Sequence, residues 1–243
     1  MQRATKPKLT LAIDIGGTGL KATLIDDMGK MTSDRLRVPT SHPAPPSLLV
    51  STLVELVKPL SGYRRVSVGF PGVVRAGRVV TAPHLDTALW HGFDLADALA
   101  SRLKVPVRVL NDADLQGYGA ITGHGLEFVM TLGTGIGTAL FQDGVLLPHL
   151  EISQHPVHGD KTYDAYIGNA VLESKGQKRW NRRVARVLPI LETLIRWDHL
   201  HIGGGNAHKL TIALPAHARI VSNEAGLTGG IALWADGRGK TVS

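Results

Sequence analysis

Apolar residues along this chain recur with two periods, one of two residues and one near 3.6. Short aliphatic and β-branched runs at Leu9 to Ile13, Lys21 to Ile25, Arg65 to Gly69, Val105 to Leu110, Phe128 to Leu132, Thr138 to Phe141, Leu200 to Ile202 and Arg219 to Val221 predict strands. Between them, helical periodicity covers Pro46 to Pro59, Leu95 to Leu103, Asp114 to Gly123, Thr162 to Ser174, Arg179 to Arg196 and Ala225 to Trp234. Strands alternating with helices predict a layered α/β fold. The run H-P-A-P-P from His42 to Pro46 predicts a turn before a helix. A seam near Asn111 divides the chain into an N-terminal α/β lobe, 1–111, and a C-terminal α/β lobe, 112–243, with the last helix near 225–235 packing back on the first lobe.

Two glycine-rich turns stand out because apolar strands flank each on both sides. They are L-T-L-A-I-D-I-G-G-T-G-L-K-A-T-L-I-D, Leu9 to Asp26, and F-V-M-T-L-G-T-G-I-G-T-A-L-F-Q-D-G, Phe128 to Gly144. The residues after the glycines alternate like a strand, so each segment is a hairpin. A dinucleotide fingerprint or a P-loop would place a helix there, and a P-loop would also need Gly-Lys-Ser/Thr. Glycines in such turns permit close approach and positive φ, and the N–H groups then form an anion-binding concavity. The two segments look like an internal duplication. Facing each other, they would hold a polyphosphate chain, which points to phosphoryl transfer in a cleft.

Composition narrows the class. With 243 residues, 43% hydrophobic, 28 Gly and only 19% charged, the chain reads as a glycine-turned α/β enzyme. No apolar run approaches the roughly 18–20 residues of a membrane span, and M-Q-R-A-T-K-P-K lacks the apolar core of a signal peptide, so a cytoplasmic protein with no membrane partner is expected. The absence of cysteine excludes disulfides and thiolate metal sites. A net charge of +7 favours an anionic partner. Much of that charge sits at Lys175, Lys178, Arg179, Arg182, Arg183 and Arg186, on an amphipathic helix also carrying Trp180, Val184, Val187, Leu191 and Leu194. Its basic face is either solvated or a docking surface for phosphate chains or nucleic acid.

The motifs D-I-G-G-T-G-L-K, L-G-T-G-I-G-T-A-L and I-G-G-G-N-A resemble the phosphate, second phosphate and adenosine motifs of sugar kinases. Together with G-F-P-G-V-V (Gly69 to Val74), A-P-H-L-D (Ala82 to Asp86) and V-L-N-D-A-D (Val109 to Asp114), they resemble the ROK family of glucokinases and sugar-responsive repressors, in particular its polyphosphate/ATP glucokinase (glucomannokinase) branch. The resemblance implies a two-lobed actin-like, ribonuclease H-like fold with a cleft between lobes. It implies a homodimer that uses Mg²⁺ to transfer a phosphoryl group from polyphosphate or ATP to the 6-hydroxyl of glucose or mannose, with no nucleic acid partner; the alternative within the family is a strict ATP-dependent kinase of another hexose. ROK proteins commonly hold zinc through one His and three Cys, a site this chain cannot build.

Phosphoryl transfer to a hydroxyl needs a base, groups or a metal on the phosphates, and positioning of both partners. Asp112 stands where the resemblance puts the catalytic aspartate, although N-D-A-D would equally cap the following helix. Asp14 lies inside the first strand, where a carboxylate is costly to bury alone. Either it serves Mg²⁺ through water or it satisfies the turn. Gly16, Gly17, Thr18 and Lys21 in the first turn, and Gly133, Thr134, Gly135 and Gly137 in the second, are candidate phosphate contacts. Gly203, Gly204, Gly205 and Asn206 match the adenosine loop, or form a flexible strand-to-helix turn.

For the sugar, the resemblance implies Gly72, Asn111, Asp112 and the Glu of an E-x-G-H motif, matched here by Glu151-Ile152-Ser153-Gln154. Ser153 and Gln154 depart from the motif. Gln154 still donates and accepts hydrogen bonds but does not titrate. The second family glutamate has no matching position, and His84 stands where many relatives have Asn. His149, His155 and His158 with Glu151 and Asp160 lack thiolates and i, i+4 spacing, so they read as a polar loop rather than a metal site.

Three other functions fit the chain less well. A sugar-dependent repressor needs an added helix-turn-helix, and only eight residues precede the first strand. An actin-like or chaperone ATPase needs longer lobes and no sugar motifs. A non-catalytic sugar-binding protein is disfavoured by Asp14 and Asp112.

Overall fold

The computed structural model describes residues 8–222 and 225–235. The first seven residues, on which the argument against a helix-turn-helix falls, lie outside the described residues, as do the last eight. The chain divides into two compact units. One runs to Leu115 and takes up the chain again from Leu227; the other is Gln116–Gly226.

The first unit is built on strands β1 (Thr10–Ile15), β2 (Gly19–Ile25), β3 (Leu36–Pro39), β4 (Arg65–Phe70) and β7 (Val107–Asn111), in the order β3-β2-β1-β4-β7. β1 pairs antiparallel with β2 and parallel with β4, and β4 runs parallel to β7. A small hairpin, β5 (Val74–Arg75) with β6 (Arg78–Val79), follows β4. Helix α1 (Pro46–Val57), with proline at its first position where no donor is lost, buries Leu49, Val50, Leu53 and Val57. A short α2 (Thr87–Trp90) and then α3 (Leu95–Leu103) add Trp90, Leu95 and Leu99 to the core that contains Leu11, Ile13 and Phe70. Helix α4 (Asp112–Ala120) begins directly at the carboxyl end of β7, and the division between units falls within it.

The second unit repeats the arrangement. Strands β8 (Leu126–Leu132), β9 (Ile136–Gln142), β10 (Val145–Leu146), β13 (His199–Gly203) and β14 (Ala218–Ile220) lie in the order β10-β9-β8-β13-β14, with two antiparallel pairs followed by two parallel pairs, as in the first sheet. The two short strands β11 (Pro156–His158) and β12 (Lys161–Thr162) form a separate hairpin. Helices α5 (Tyr163–Ile167), α6 (Asn169–Lys175) and α7 (Gln177–Ile195) cover one face, burying Tyr166, Trp180, Val184, Val187 and Leu191 against Phe128, Met130 and Leu200. The single helix expected over Thr162 to Ser174 is two. At Gly168 the chain turns extended, which ends α5 and starts α6, and an added Cβ there would lie 2.5 Å from the Asp164 carbonyl oxygen, so this break accepts only glycine.

Helix α8 (Ala225–Ala232) and the residues after it are held on the first unit. Fully buried Ser67 donates to the Gly230 carbonyl at 2.6 Å and accepts from Trp234 Nε1 at 2.8 Å. Arg108 stacks 4.4 Å from the Trp234 ring centroid, with Arg65 at 5.5 Å. No helix among the described residues is long and apolar enough to cross a membrane.

Candidate active site

The two glycine turns are hairpins, with Asp14 opposite Lys21 and Ile15 opposite Leu20 in the first, and Leu132 opposite Ile136 in the second. Each is closed by one short backbone bond, Gly16 N–H to Gly19 O and Gly133 N–H to Gly135 O, both 3.0 Å. Neither turn uses the positive φ expected of its glycines. In the first turn their value is room: a Cβ on Gly16 would meet Gly19 O at 3.0 Å, and one on Gly17 would meet His84 Cβ at 3.1 Å, whereas a Cβ on Gly133 in the second would meet only Gly135 O at 3.9 Å. Among the described residues, the N–H groups of Gly17, Thr18, Thr134 and Gly135 donate to no partner. Half-exposed donors of this kind are what an anion takes up.

Around the first turn, Asp14 is not buried alone. Its side chain is half exposed and forms a 2.8 Å ion pair with Lys21. Thr40 Oγ1 donates to Gly16 O and His42 Nε2 to Gly17 O, both at 2.7 Å. Thr40 belongs to no motif and His42 only to the H-P-A-P-P turn, which marks neither for this contact; both follow β3, itself too short to register.

At the carboxyl ends of β4 and β7, three candidate sugar residues converge. Asn111 Nδ2 donates to Gly72 O at 3.1 Å, while its Oδ1 accepts from Ala113 N at 2.8 Å and Asp114 N at 3.3 Å. The cap of α4 is therefore Asn111. Asp112, the first residue of the helix, accepts from Ala113 N at 2.8 Å. Gly72 is irreplaceable on steric grounds, because a Cβ there would sit 2.0 Å from the Thr81 carbonyl oxygen.

In the second unit the glycine turn is tied to two further elements. Gly204, at φ +87° and with its virtual Cβ 2.5 Å from the Leu132 backbone, brings the 203–206 loop against the end of β8. Asn206 then donates to Gly133 O at 3.2 Å and to Asn169 Oδ1 at 3.0 Å, and accepts from Lys209 Nζ at 2.9 Å. The positive φ expected of the hairpin glycines is found in this loop instead.

Glu151 precedes and Gln154 ends a 3₁₀ turn, Ile152–Gln154. Ser153 Oγ donates to Glu151 Oε1 at 2.9 Å, and Gln154 Nε2 donates to Ser153 Oγ at 3.2 Å and to Asp164 Oδ2 at 3.1 Å. Asp164 Oδ1 accepts from Ile136 N at 2.6 Å. Asp164 thus joins the E-x-x-Q segment to the second glycine turn, a role the sequence did not disclose. An acid two residues after the N-cap Thr162 looks like any first-turn acid, so periodicity and motif carry no signal for it. His155 and His158 lie beside Tyr163 and Tyr166, with ring centroids 6.4 and 5.0 Å apart. Among the described residues, no group of three or more His, Asp or Glu is arranged to hold a metal ion.

Away from these loops the second unit contains a fully buried carboxylate, Glu127. It accepts from Thr122 N, Thr122 Oγ1, Gly123 N, His124 N and His201 Nε2, at 2.6–3.2 Å. Burial pushes its pKa up, but the bonds from Thr122 N, His201, Gly123 N and Thr122 Oγ1 together outweigh burial and hold it below the ordinary value. Burial lowers the pKa of His201, which accepts from Arg219 Nε through Nδ1 at 3.0 Å; the neutral ring with its proton on Nε2 satisfies both partners.

The sequence model of the ROK family matches residues 10–149. The chain is similar to the polyphosphate glucokinase of Mycobacterium tuberculosis strain H37Rv, 33% identical over 93% of this chain and 91% of that protein. It is also similar to the crystal structure of the inorganic polyphosphate/ATP-glucomannokinase from Arthrobacter sp. strain KM, with TM-score 0.82 and 31% identity over 94% of this chain and 98% of that one. A ROK family glucokinase from Streptomyces griseus, in complex with glucose and AMPPNP, shares the fold at TM-score 0.76 and 22% identity, covering 93% of this chain and 98% of that one.

Proposed function

From the premise that the chain belongs to the ROK family and is a glucokinase-type sugar kinase, we propose that it transfers the terminal phosphoryl group of inorganic polyphosphate, and of ATP beside it, to the 6-hydroxyl of glucose. The observation that carries the reading is the division of labour at the end of β7: Asn111 caps α4 and fixes Gly72, and Asp112 comes next at the first helical position. In this reading Gly72 and Asn111 orient the sugar, and the Asp112 carboxylate accepts the proton of the 6-hydroxyl. The hydroxyl oxygen forms a bond to the terminal phosphorus while the bridging P–O bond breaks, leaving ADP or a polyphosphate one unit shorter. Glu151 and Gln154 are further hydroxyl partners. The unpartnered N–H groups of the glycine turns receive charge that grows on the phosphate oxygens.

Asp14 fits a magnesium ion held through water: its carboxylate is half exposed, and Mg²⁺ usually keeps several waters and takes only one or two protein carboxylates. When bound, the ion would neutralise charge on the donor phosphates. The donor assignment is supported by the two polyphosphate-using relatives and by the net charge of +7.

The test is a screen of purified protein with glucose, mannose and glucosamine against polyphosphate and ATP, each with Mg²⁺. Glucose 6-phosphate from both donors is the expected result. If no sugar phosphate forms with any donor, the reading is wrong.

A further inference from the structure

The second unit carries a charged surface that phosphoryl transfer itself does not require. Helix α7 buries Trp180, Asn181, Val184, Val187, Leu188 and Leu191, and its opposite face is open to water. On that face Lys178, Arg182 and Arg186 stand at i, i+4 spacing with Arg179 beside them, all exposed. No Asp or Glu occurs from Ser174 to Leu191. Among the described residues, none of these four side chains, nor Lys175, is ion-paired. Like charges at this spacing weaken a helix, and surfaces that are merely solvated usually mix both signs. A single-sign row is therefore matched to a polyanion.

The row begins beside the 203–209 loop. Gln177 Nε2 and Asn181 Nδ2, on the first turns of α7, both donate to the Lys209 carbonyl at 2.8 and 3.0 Å, and Lys209 Nζ reaches Asn206. At the far end of the row Arg186 donates to the Tyr166 hydroxyl at 3.2 Å, and neighbouring Arg183 lies 4.7 Å from the Tyr166 ring centroid. From Lys178 to Arg186 the row extends about 12 Å along the axis.

We propose that the exposed basic face of α7 is a docking track for inorganic polyphosphate, which holds the part of the chain beyond the phosphates being transferred; the inference rests on polyphosphate being a donor. A long chain carries negative charge along its whole length and covers the track, whereas ATP and tripolyphosphate are too short to occupy the loop and the track together. The other common polyanion, nucleic acid, usually also finds aromatic side chains for its bases. This face has none: Trp180 is buried, and the remaining exposed residues include Ala185, Pro189 and Ile190.

The experiment compares wild type with the Lys178→Gln, Arg179→Gln, Arg182→Gln triple variant, measuring KM for long-chain polyphosphate, tripolyphosphate and ATP across a salt series. In the wild type, long-chain polyphosphate has the lowest KM and the steepest salt dependence. In the variant, its KM rises about tenfold and its log–log salt slope falls by about two, as expected when roughly three contacts that release counterions are lost. Meanwhile the KM values for ATP and tripolyphosphate stay within about twofold, which also shows that the variant is folded. Equal loss for all three donors, an unchanged long-chain KM, or a wild-type KM independent of chain length overturns the track but leaves the donor assignment standing. A wild type that uses ATP and no polyphosphate overturns both. Displacement of polyphosphate by single-stranded DNA at equal affinity, abolished by the same substitutions, overturns the track in favour of a nucleic acid surface.

Discussion

Asn111 and Asp112 are adjacent, similar in size and equally suited to capping a helix, yet the structure separates their tasks. The Asn111 side chain uses its acceptor for two N–H groups of α4 and its donor for the Gly72 carbonyl, so an aspartate in its place would lose the donor. Asp112 lies just past the cap. Asp112→Asn keeps the shape of the side chain and removes its capacity to accept a proton. Turnover should fall roughly 10²- to 10⁴-fold with sugar affinity nearly unchanged; single-turnover rates and glucose binding measured together check this, and near wild-type turnover would return Asp112 to a structural role. Asp164 is the opposite kind of residue, invisible in the sequence and joined to Ile136 N–H on one side and Gln154 on the other. Asp164→Ala leaves that N–H without its charged acceptor, at a cost of about 1–3 kcal/mol. Because Ile136 closes the second glycine turn, donor KM should rise by about tenfold or more while the pH dependence of kcat keeps its shape. A variant of lower stability and normal donor KM would make Asp164 a purely structural tie.

Elements were legible where two signals coincided. Both glycine hairpins could be read because aliphatic runs flank the glycines and a strand, not a helix, comes after them. Strand β3, L-R-V-P, has four residues and a proline, too little alternation to register, and with it went Thr40 and His42 on the first turn. The break at Gly168 was hidden because apolar residues keep a helical period across it, and a lone glycine is its one local sign. Glu127 in β8 reads as one acid in an apolar strand, since its partners come from the 122–124 turn and from His201 far along the chain. This element has a pH signature. Both groups have folded-state pKa values below their ordinary ones, so the folded protein binds fewer protons than the unfolded chain. Stability from His201 is present above its ordinary value of 6.5 and is lost as pH falls below it, and the Glu127 contribution declines in turn below 4.5. Urea unfolding across that range should show a plateau above neutrality and a decline beginning near pH 6.5. Glu127→Gln should lower stability by about 3 kcal/mol at neutral pH, because a side chain with its own donors then faces four N–H or O–H groups and His201. A variant as stable as wild type would show that the network contributes nothing.

At the scale of the whole molecule, the proposed reaction asks for a metal that arrives with the substrate rather than one built into the fold. The two sheets share one strand order and one pattern of parallel and antiparallel pairs, so the same framework presents a glycine turn after its first strand in each unit. The framework therefore provides main-chain donors twice, and main-chain donors need no metal to hold their shape. A structural zinc site is a different requirement. It takes four ligands, usually with thiolates among them, and this sequence has no cysteine. The histidines near the 151–154 turn are engaged differently, His155 and His158 lying beside tyrosine rings. Magnesium, in contrast, asks for little from the protein: one half-exposed carboxylate such as Asp14, with water and donor phosphate as the other ligands. The two metals should thus separate cleanly in one experiment. Protein purified without added metal should contain zinc well below one equivalent by elemental analysis, and a zinc-selective chelator should alter neither its thermal midpoint nor its turnover. EDTA should abolish turnover with polyphosphate and with ATP while leaving the thermal midpoint unchanged, and Mg²⁺ alone should restore it. Stoichiometric zinc whose removal unfolds the protein would mean that oxygen and nitrogen ligands have replaced the thiolate site, and that the polar loop around Glu151 to Asp160 is a metal centre after all.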